Sequence, residues 1–440
     1  MEKELLLKYG GYGQTLIHPV AVGILAITAI LIFILPRRHV IVPFLLAVLF
    51  IPVYQEIVIA GLNFFPLRIL IFIAWIRLIA RRELHPINVN AIDICVILIA
   101  VSGTAAFTIL WGTWGAFVNR LGNAYDLLGS FFLIRFLLED FDDAQVALKA
   151  LVLATIPIAF FMVIEFASGQ NVFSFLGGPE LAGIREGRVR SQGPFINPIL
   201  AGTFGAVLMP IAVAMWWAGT GGDRKMAAAG ALGATLIAWT STSSGPIFTY
   251  IASIAALLMW RYRANMRLVR WGILFALIGL HMVMKAPVWA LIARVQYFGS
   301  SMSYHRFLLI DQFIRRVNEW WLVGTKFTSD WAFGMWDLTN QYVLTGINGG
   351  ILTLAIFIAL ISFCFQSVGR ALHSSEGSYN DQIMIWAIGA SLFSHVVAFI
   401  GISYFDQVAI AWYVLIAICA VIRNSSITGE SEEDMERQVA

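Results

Sequence analysis

The chain has 440 residues, of which 59% are hydrophobic and only 12% charged, whereas a soluble domain carries about 25% charged residues. With a mean hydropathy of +0.80, this excludes a soluble enzyme on a single anchor and marks an all-α, polytopic transmembrane bundle. The net charge of +3 is too small to argue for a nucleic-acid partner.

A membrane span needs roughly 20 apolar residues. On that measure the chain holds about 13 candidate spans, with 12–14 as the range. They lie near 17–35, 40–55, 62–80, 91–111, 118–138, 150–168, 196–218, 226–242, 245–261, 270–289, 341–365, 382–401 and 404–422. The start, MEKELLLKYGGYGQTLIHP, puts charges and glycines where a signal peptide has its apolar core, so no cleavable signal is expected. Cys95, Cys364 and Cys419 fall inside apolar stretches without metal-ligand spacing.

Short basic connections at Arg37-Arg38, Arg81-Arg82, Arg224-Lys225, Arg261 to Arg270 and Arg370 all count to one side, which the positive-inside rule makes cytoplasmic. Five regions follow: 1–168, N-terminal spans; 169–287, a motif-bearing outer loop and central spans; 288–340, a large outer loop; 341–423, C-terminal spans; and 424–440, an acidic tail read as disordered.

Both outer loops carry arginines, against the topology bias. Longer loops escape that rule; alternatively, the guanidinium forks serve a phosphate-like anion at the membrane surface. The first loop reads GIREGRVRSQGPFINPILAG over 183–202. Asn197 and Pro198 mark a helix start, whose free N–H groups and positive dipole end favour an anion. Arg188 and Arg190 lie just upstream, so arginine plus helix start is a candidate diphosphate site. An ordinary capped helix with surface arginines is the alternative.

The second loop holds His305, Arg306, Asp311, Arg315, Arg316, Glu319, Lys326, Asp330 and Asp337. Phe307, Ile310, Ile314 and Val317 recur at helical spacing, which predicts an amphipathic helix capped by Ser301 or Ser303. Trp320 and Trp321 are read as interface anchors or as sugar-stacking rings. Glu165, near the outer end of a span, is expected to face a cavity or a partner. Arg68 and Arg120 are read as snorkelling residues.

The spacing Arg190-x-x-Gly193-x-Phe195-x-Asn197-Pro198 followed by Gly202 resembles the signature of the O-antigen ligase/polymerase superfamily. These are bacterial inner-membrane glycosyltransferases that act at the periplasmic face on undecaprenyl-diphosphate-linked glycans. The resemblance covers roughly 160–365. Asn340, Gly350 and Thr353 match the spacing of a ligase motif, but Thr339 stands where ligases carry histidine, and Ser243-Ser244-Gly245 replaces a common Ser-Arg-Gly. A threonine is no proton acceptor at neutral pH, so the resemblance leans to the polysaccharide polymerase branch. What it implies is a glycan polymerase without cofactor or metal, inverting at the anomeric carbon, that uses lipid-linked glycan as both donor and acceptor, with other polysaccharide-assembly proteins as further partners. By this resemblance Arg306, with Arg190 and Arg188, holds the diphosphate. Asp337 and His305 are candidate bases, with Asn340 beside them. Asp337 reads equally as a helix cap. Tyr342, Gly350, Asn197 and Glu165 shape the loop or meet the acceptor. A ligase acting on lipid A core, or a flippase for lipid-linked sugar, are the competing readings.

Overall fold

In the computed structural model, residues 15–59, 61–294, 302–375, 378–405 and 407–439 are described. Each of the thirteen apolar stretches falls on a helix. The first six helices are α1 (Pro19–Ile34), α2 (Arg37–Phe50), α3 (Pro66–Ala80), α4 (Ala91–Trp111), α5 (Trp114–Leu137) and α6 (Phe141–Ser168). The centre holds α7 (Pro198–Ala218), α8 (Gly221–Thr240), α9 (Ser244–Leu258) and α10 (Met266–Val283). Short pieces α11 (Leu291–Arg294), α12 (Met302–Arg315) and α13 (Val317–Trp320) precede the long α14 (Gln341–Ser374). Helices α15 (Tyr379–Ala398) and α16 (Val408–Val439) close the chain. The protein is an all-α bundle, and among the described residues six helical runs are long and apolar enough to cross a membrane, which marks a multi-pass membrane protein. The sheet content is two hairpins, β1 (Ile57–Ile59) with β2 (Leu62–Phe64) and β3 (Gly183–Arg185) with β4 (Arg188–Arg190).

Local chemistry sets the helix ends. Asn90 and Asp93 form a reciprocal capping box at the start of α4, and Gly112 ends it in the left-handed region. Asp140 caps α6 and Gly169 ends it in the same way. Successive helices run in opposite directions. One end of the bundle therefore gathers the close of α6 and α8 and the start of α7, α9 and α14. The basic connections at 37–38, 81–82, 224–225, 261–270 and 370 lie at the other end. There Arg37 pairs with Asp143 at 2.9 Å and with Glu139 at 2.8 Å.

The core is built on α7, which is packed on nearly every side: Leu200, Phe204, Val207 and Ile211 are fully buried. Against it lie α8, α9 and α15. Buried hydroxyls stitch these helices together, with Ser253 and Ser394 2.7 Å apart and Ser391 donating to the Val207 carbonyl at 2.7 Å. Cys95, Cys364 and Cys419 are buried free thiols.

The large loop folds onto a small core of its own, made of Leu309, Phe313, Trp320, Trp331, Met335, Val343 and Ile347. The expected helix is present as α12, but its innermost residues are Leu309 and Phe313, while Ile314 is 45% exposed. The apolar stripe read from sequence is thus rotated. Packing follows the bulkiest contact, a stacked Phe313–Trp320 pair with centroids 3.9 Å apart. Ser301 and the side chain of Ser303, the expected caps, lie outside the described residues.

Candidate functional site

The motif loop is held from four directions before any arginine is considered. Glu165, fully buried at the end of α6, accepts hydrogen bonds from the backbone N–H groups of Gln192 at 3.1 Å and Gly193 at 2.8 Å. Asn171 donates to the Gly193 carbonyl at 2.9 Å. Tyr54 donates to the Ile196 carbonyl at 3.2 Å, and Gln407 to the Pro194 carbonyl at 2.8 Å. The partner of Glu165 is therefore this backbone turn. A carboxylate taking two N–H groups orders a segment that has no strand or helix to satisfy it.

Arg190 sits at the end of β4, in a hairpin turned by Glu186 and Gly187, both at positive φ. It is half-buried. Its Nη2 donates to Ser243 Oγ at 2.6 Å, and its Nε has no hydrogen-bond partner. Ser243 is the residue before α9, and that helix start has no side-chain cap. The expectation that Arg190 serves the start of α7 is corrected here. Asn197 Oδ1 caps α7 by accepting from Leu200 N at 2.9 Å, and the arginine reaches α9 instead. The physical reason is the α8–α9 turn. Ser191 donates its N–H to the Thr240 carbonyl at 3.1 Å, and Thr242 donates to the Val189 carbonyl at 2.8 Å. These bonds swing β4 across the N-terminus of α9.

Arg306 arrives at the same place from α12. It is only 6% exposed, and among the described residues no hydrogen-bond or ion-pair partner faces it; its Nε is buried and unsatisfied. Its guanidinium packs between two glycines that flank the site. A Cβ at Gly245, in the first turn of α9, would lie 3.2 Å from Nη2, and one at Gly401, beyond α15, 3.4 Å from Nε. Ser243-Ser244-Gly245, a departure from the family pattern in sequence, is thus the floor of the site. Its glycine admits an arginine that comes from another element.

Burial lowers the pKa of both Arg190 and Arg306, and the charge of Arg185 lowers each further; Glu186 partly offsets this for Arg190. Two guanidiniums, those of Arg190 and Arg306, therefore converge on one uncapped helix start, and the charge of Arg185 acts on both. Arginine stays protonated at any working pH, so the cluster carries a standing positive charge that a bound anion would offset. Arg188 lies on the exposed part of β4.

His305, next to Arg306 on α12, has its Nε2 3.2 Å from the backbone carbonyl oxygen of Asp337. Burial raises the pKa of the Asp337 carboxyl and the nearby His305 opposes the shift. The two candidate bases are thus neighbours of each other, His305 being the residue before Arg306 on α12. Asp337 is not the cap of α14. That role belongs to Asn340, whose Oδ1 accepts from Val343 N at 3.0 Å and whose Nδ2 donates to the Ile400 carbonyl at 3.1 Å. With both ends of its amide so used, Asn340 positions the loop rather than reacts. Thr339 is buried, and its hydroxyl lacks a hydrogen-bond partner among the described residues.

Tyr342 donates to the Val396 carbonyl at 3.1 Å and so ties α14 to α15. Trp320 is 3% exposed and donates to the Phe313 carbonyl at 2.8 Å, which makes it loop core; Trp321 is half-exposed. Arg68 does not snorkel: it makes a bidentate pair with Asp126 at 2.9 and 2.8 Å. Arg120 lies over the Phe107 ring at 3.8 Å. Among the described residues no three His, Cys, Asp or Glu side chains lie together as metal ligands would.

No family model and no curated protein matches this chain.

Proposed function

We propose that the protein is a glycan polymerase of the bacterial inner membrane. It transfers an undecaprenyl-diphosphate-linked oligosaccharide to a hydroxyl of another lipid-linked repeat unit at the periplasmic face. The observation that carries this reading is the convergence of Arg190 and Arg306 on the uncapped start of α9 at one end of the bundle. Guanidinium forks and free helix N–H groups match diphosphate oxygens. Each charged hydrogen bond to such a group contributes about 1.5–3 kcal/mol.

In the reaction, the acceptor oxygen attacks the anomeric carbon and the bond from that carbon to the diphosphate oxygen breaks. The electron pair leaves with the diphosphate, and the hydroxyl proton passes to a base. The arginines stabilise the charge that grows on the leaving group, and because they are already oriented no reorganisation is needed at the moment of reaction. Asp337, with His305 behind it, is the base. A carboxyl whose pKa is raised by burial is a better proton acceptor than an exposed one. Attack from the face opposite the diphosphate inverts the anomeric centre.

The clustering of the arginines at one end, rather than along a path across the bundle, supports surface chemistry over translocation. Purified protein given a lipid-diphosphate repeat unit is expected to yield a ladder of longer lipid-linked glycans. Arg190→Ala and Arg306→Ala are each expected to abolish it. Transfer that occurs only with added lipid A core would move the assignment to a ligase. Lipid movement across vesicles without any transfer would sink the enzyme.

A further inference from the structure

Beside the arginine cluster lies a second space, a cavity of about 640 Å³ bounded by α3, α4, α5, the start of α14 and the segment from Tyr404 to Tyr413. That size falls within the roughly 300–1,000 Å³ of ligand pockets. It shares a wall with the arginine site. In the chain between α15 and α16, Gly401 backs onto Arg306, while Tyr404 and Gln407 line the cavity. Ile196, one residue before the cap of α7, lines it from the motif loop.

The lining is mostly apolar, with a set of polar side chains placed in it. Asn123 on α5 and Asn348 on α14 face it, and their side-chain amides make no hydrogen bond among the described residues. The Oε1 of Gln407, a residue 3% exposed, is buried without a partner while its Nε2 is held by Pro194 and Ile51. The Arg68–Asp126 pair adds a fixed donor and acceptor, and Phe405 supplies a ring. A buried polar atom left unsatisfied, as the Oε1 of Gln407 is, is costly, and the half-buried Asn348 and the exposed Asn123 each offer a donor and an acceptor to an incoming hydroxyl. A polyprenyl tail would satisfy none of these groups, whereas a sugar carries hydroxyls that match them.

We propose that this cavity is a sugar site that receives the hydroxyl-bearing acceptor end of the glycan, separate from the arginines that hold the donor diphosphate. The proposal rests on the glycosyltransferase reading above. It adds what that reading lacks, a place that aligns the acceptor with the leaving group.

The test uses the full chain in lipid nanodiscs and two probes measured separately: undecaprenyl diphosphate alone, and free oligosaccharides released by mild acid from the producing cell's lipid-linked pool. The variants are Asn123→Leu, Asn348→Leu and Thr104→Trp. Thr104 lines the cavity from α4, so a tryptophan there fills it. All three are expected to bind oligosaccharide at least about tenfold more weakly, a loss of one hydrogen-bond set, and to keep undecaprenyl diphosphate affinity. Arg306→Met is expected to do the reverse. Unchanged oligosaccharide binding in Asn123→Leu and Thr104→Trp overturns the sugar site, as does wild type that binds no oligosaccharide. Loss of undecaprenyl diphosphate binding in Thr104→Trp, with oligosaccharide binding kept, reassigns the cavity to the lipid chain. Unchanged diphosphate binding in Arg306→Met instead sinks the diphosphate reading and leaves the cavity result to stand by itself.

Discussion

At Arg306 the demands of stability and of the proposed function pull in opposite directions. Burying a cation without a counter-ion costs several kcal/mol, so a chain selected for stability alone would replace it. Arg306→Met keeps the stem's volume and removes the charge. It is expected to leave the melting temperature unchanged or raise it, by up to about 4 kcal/mol of stability, while weakening diphosphate binding about 100-fold, the loss of roughly two charged hydrogen bonds. Undecaprenyl diphosphate should raise the melting temperature of the wild type and not of the variant. A variant that unfolds would mean the arginine has a structural partner. At Asp337 the same logic takes a pH form. Its folded pKa lies above the unfolded one because of burial, so the folded state holds the proton more tightly. The carboxyl thus costs nothing well below the ordinary aspartate range. Its penalty grows as pH rises through that range, and is complete above the folded pKa. Asp337→Asn is therefore expected to be more stable than wild type at neutral pH, with the gap closing as pH falls toward 4, about the unfolded value, and to lose transfer activity. Equal stability at all pH values in thermal melts would count against the shifted carboxyl.

At the scale of elements, the loop is locked to the bundle by a break in α14. Gly350 has φ 71° and ψ −175°, outside the helical region and reached at low cost only by glycine. The break frees Ile351 N–H to donate to the Trp321 carbonyl at 2.8 Å, and the Ile347 carbonyl to accept from Thr325 at 3.0 Å. A Cβ at Gly350 would collide with the Leu322 carbonyl. Gly350→Ala is thus expected to cost about 2–4 kcal/mol and to detach the segment that carries Asp337. Limited proteolysis should cut between 321 and 340 in the variant and not in the wild type. In sequence Gly350 is legible only as part of a motif spacing, because nothing local says which distant carbonyl needs the room.

For the whole molecule, the bundle directions put the β3–β4 hairpin and the large loop at one face and the start of α8 at the other. The native cysteines are buried, so added ones report alone. Ile184→Cys and Phe333→Cys replace exposed residues, Phe333 being fully exposed. Both are expected to react with a membrane-impermeant thiol reagent added to intact spheroplasts. Lys225→Cys, on the exposed start of α8, should react only after lysis. Labelling of all three from one side would overturn the orientation.

By itself, the sequence determined the class and the placement of helices. A run of about 20 apolar residues has one stable answer in lipid, a helix that satisfies its own backbone, and every expected stretch became one. It also nominated Arg190, Arg306, His305 and Asp337 as candidates, from their place in two outer loops and from the family resemblance. What it did not determine was which groups meet. That Arg190 reaches the start of α9 instead of α7, that Glu165 spends its carboxylate on Gln192 and Gly193, and that Asn340 is a cap follow from turns and packing between segments far apart in the chain. The cavity is less legible still, since its walls come from seven separate stretches of the chain. Hydropathy is a local property and is written residue by residue; a site is a set of distances between helices, fixed only when α7 is buried on all sides and the loops are pinned across its end.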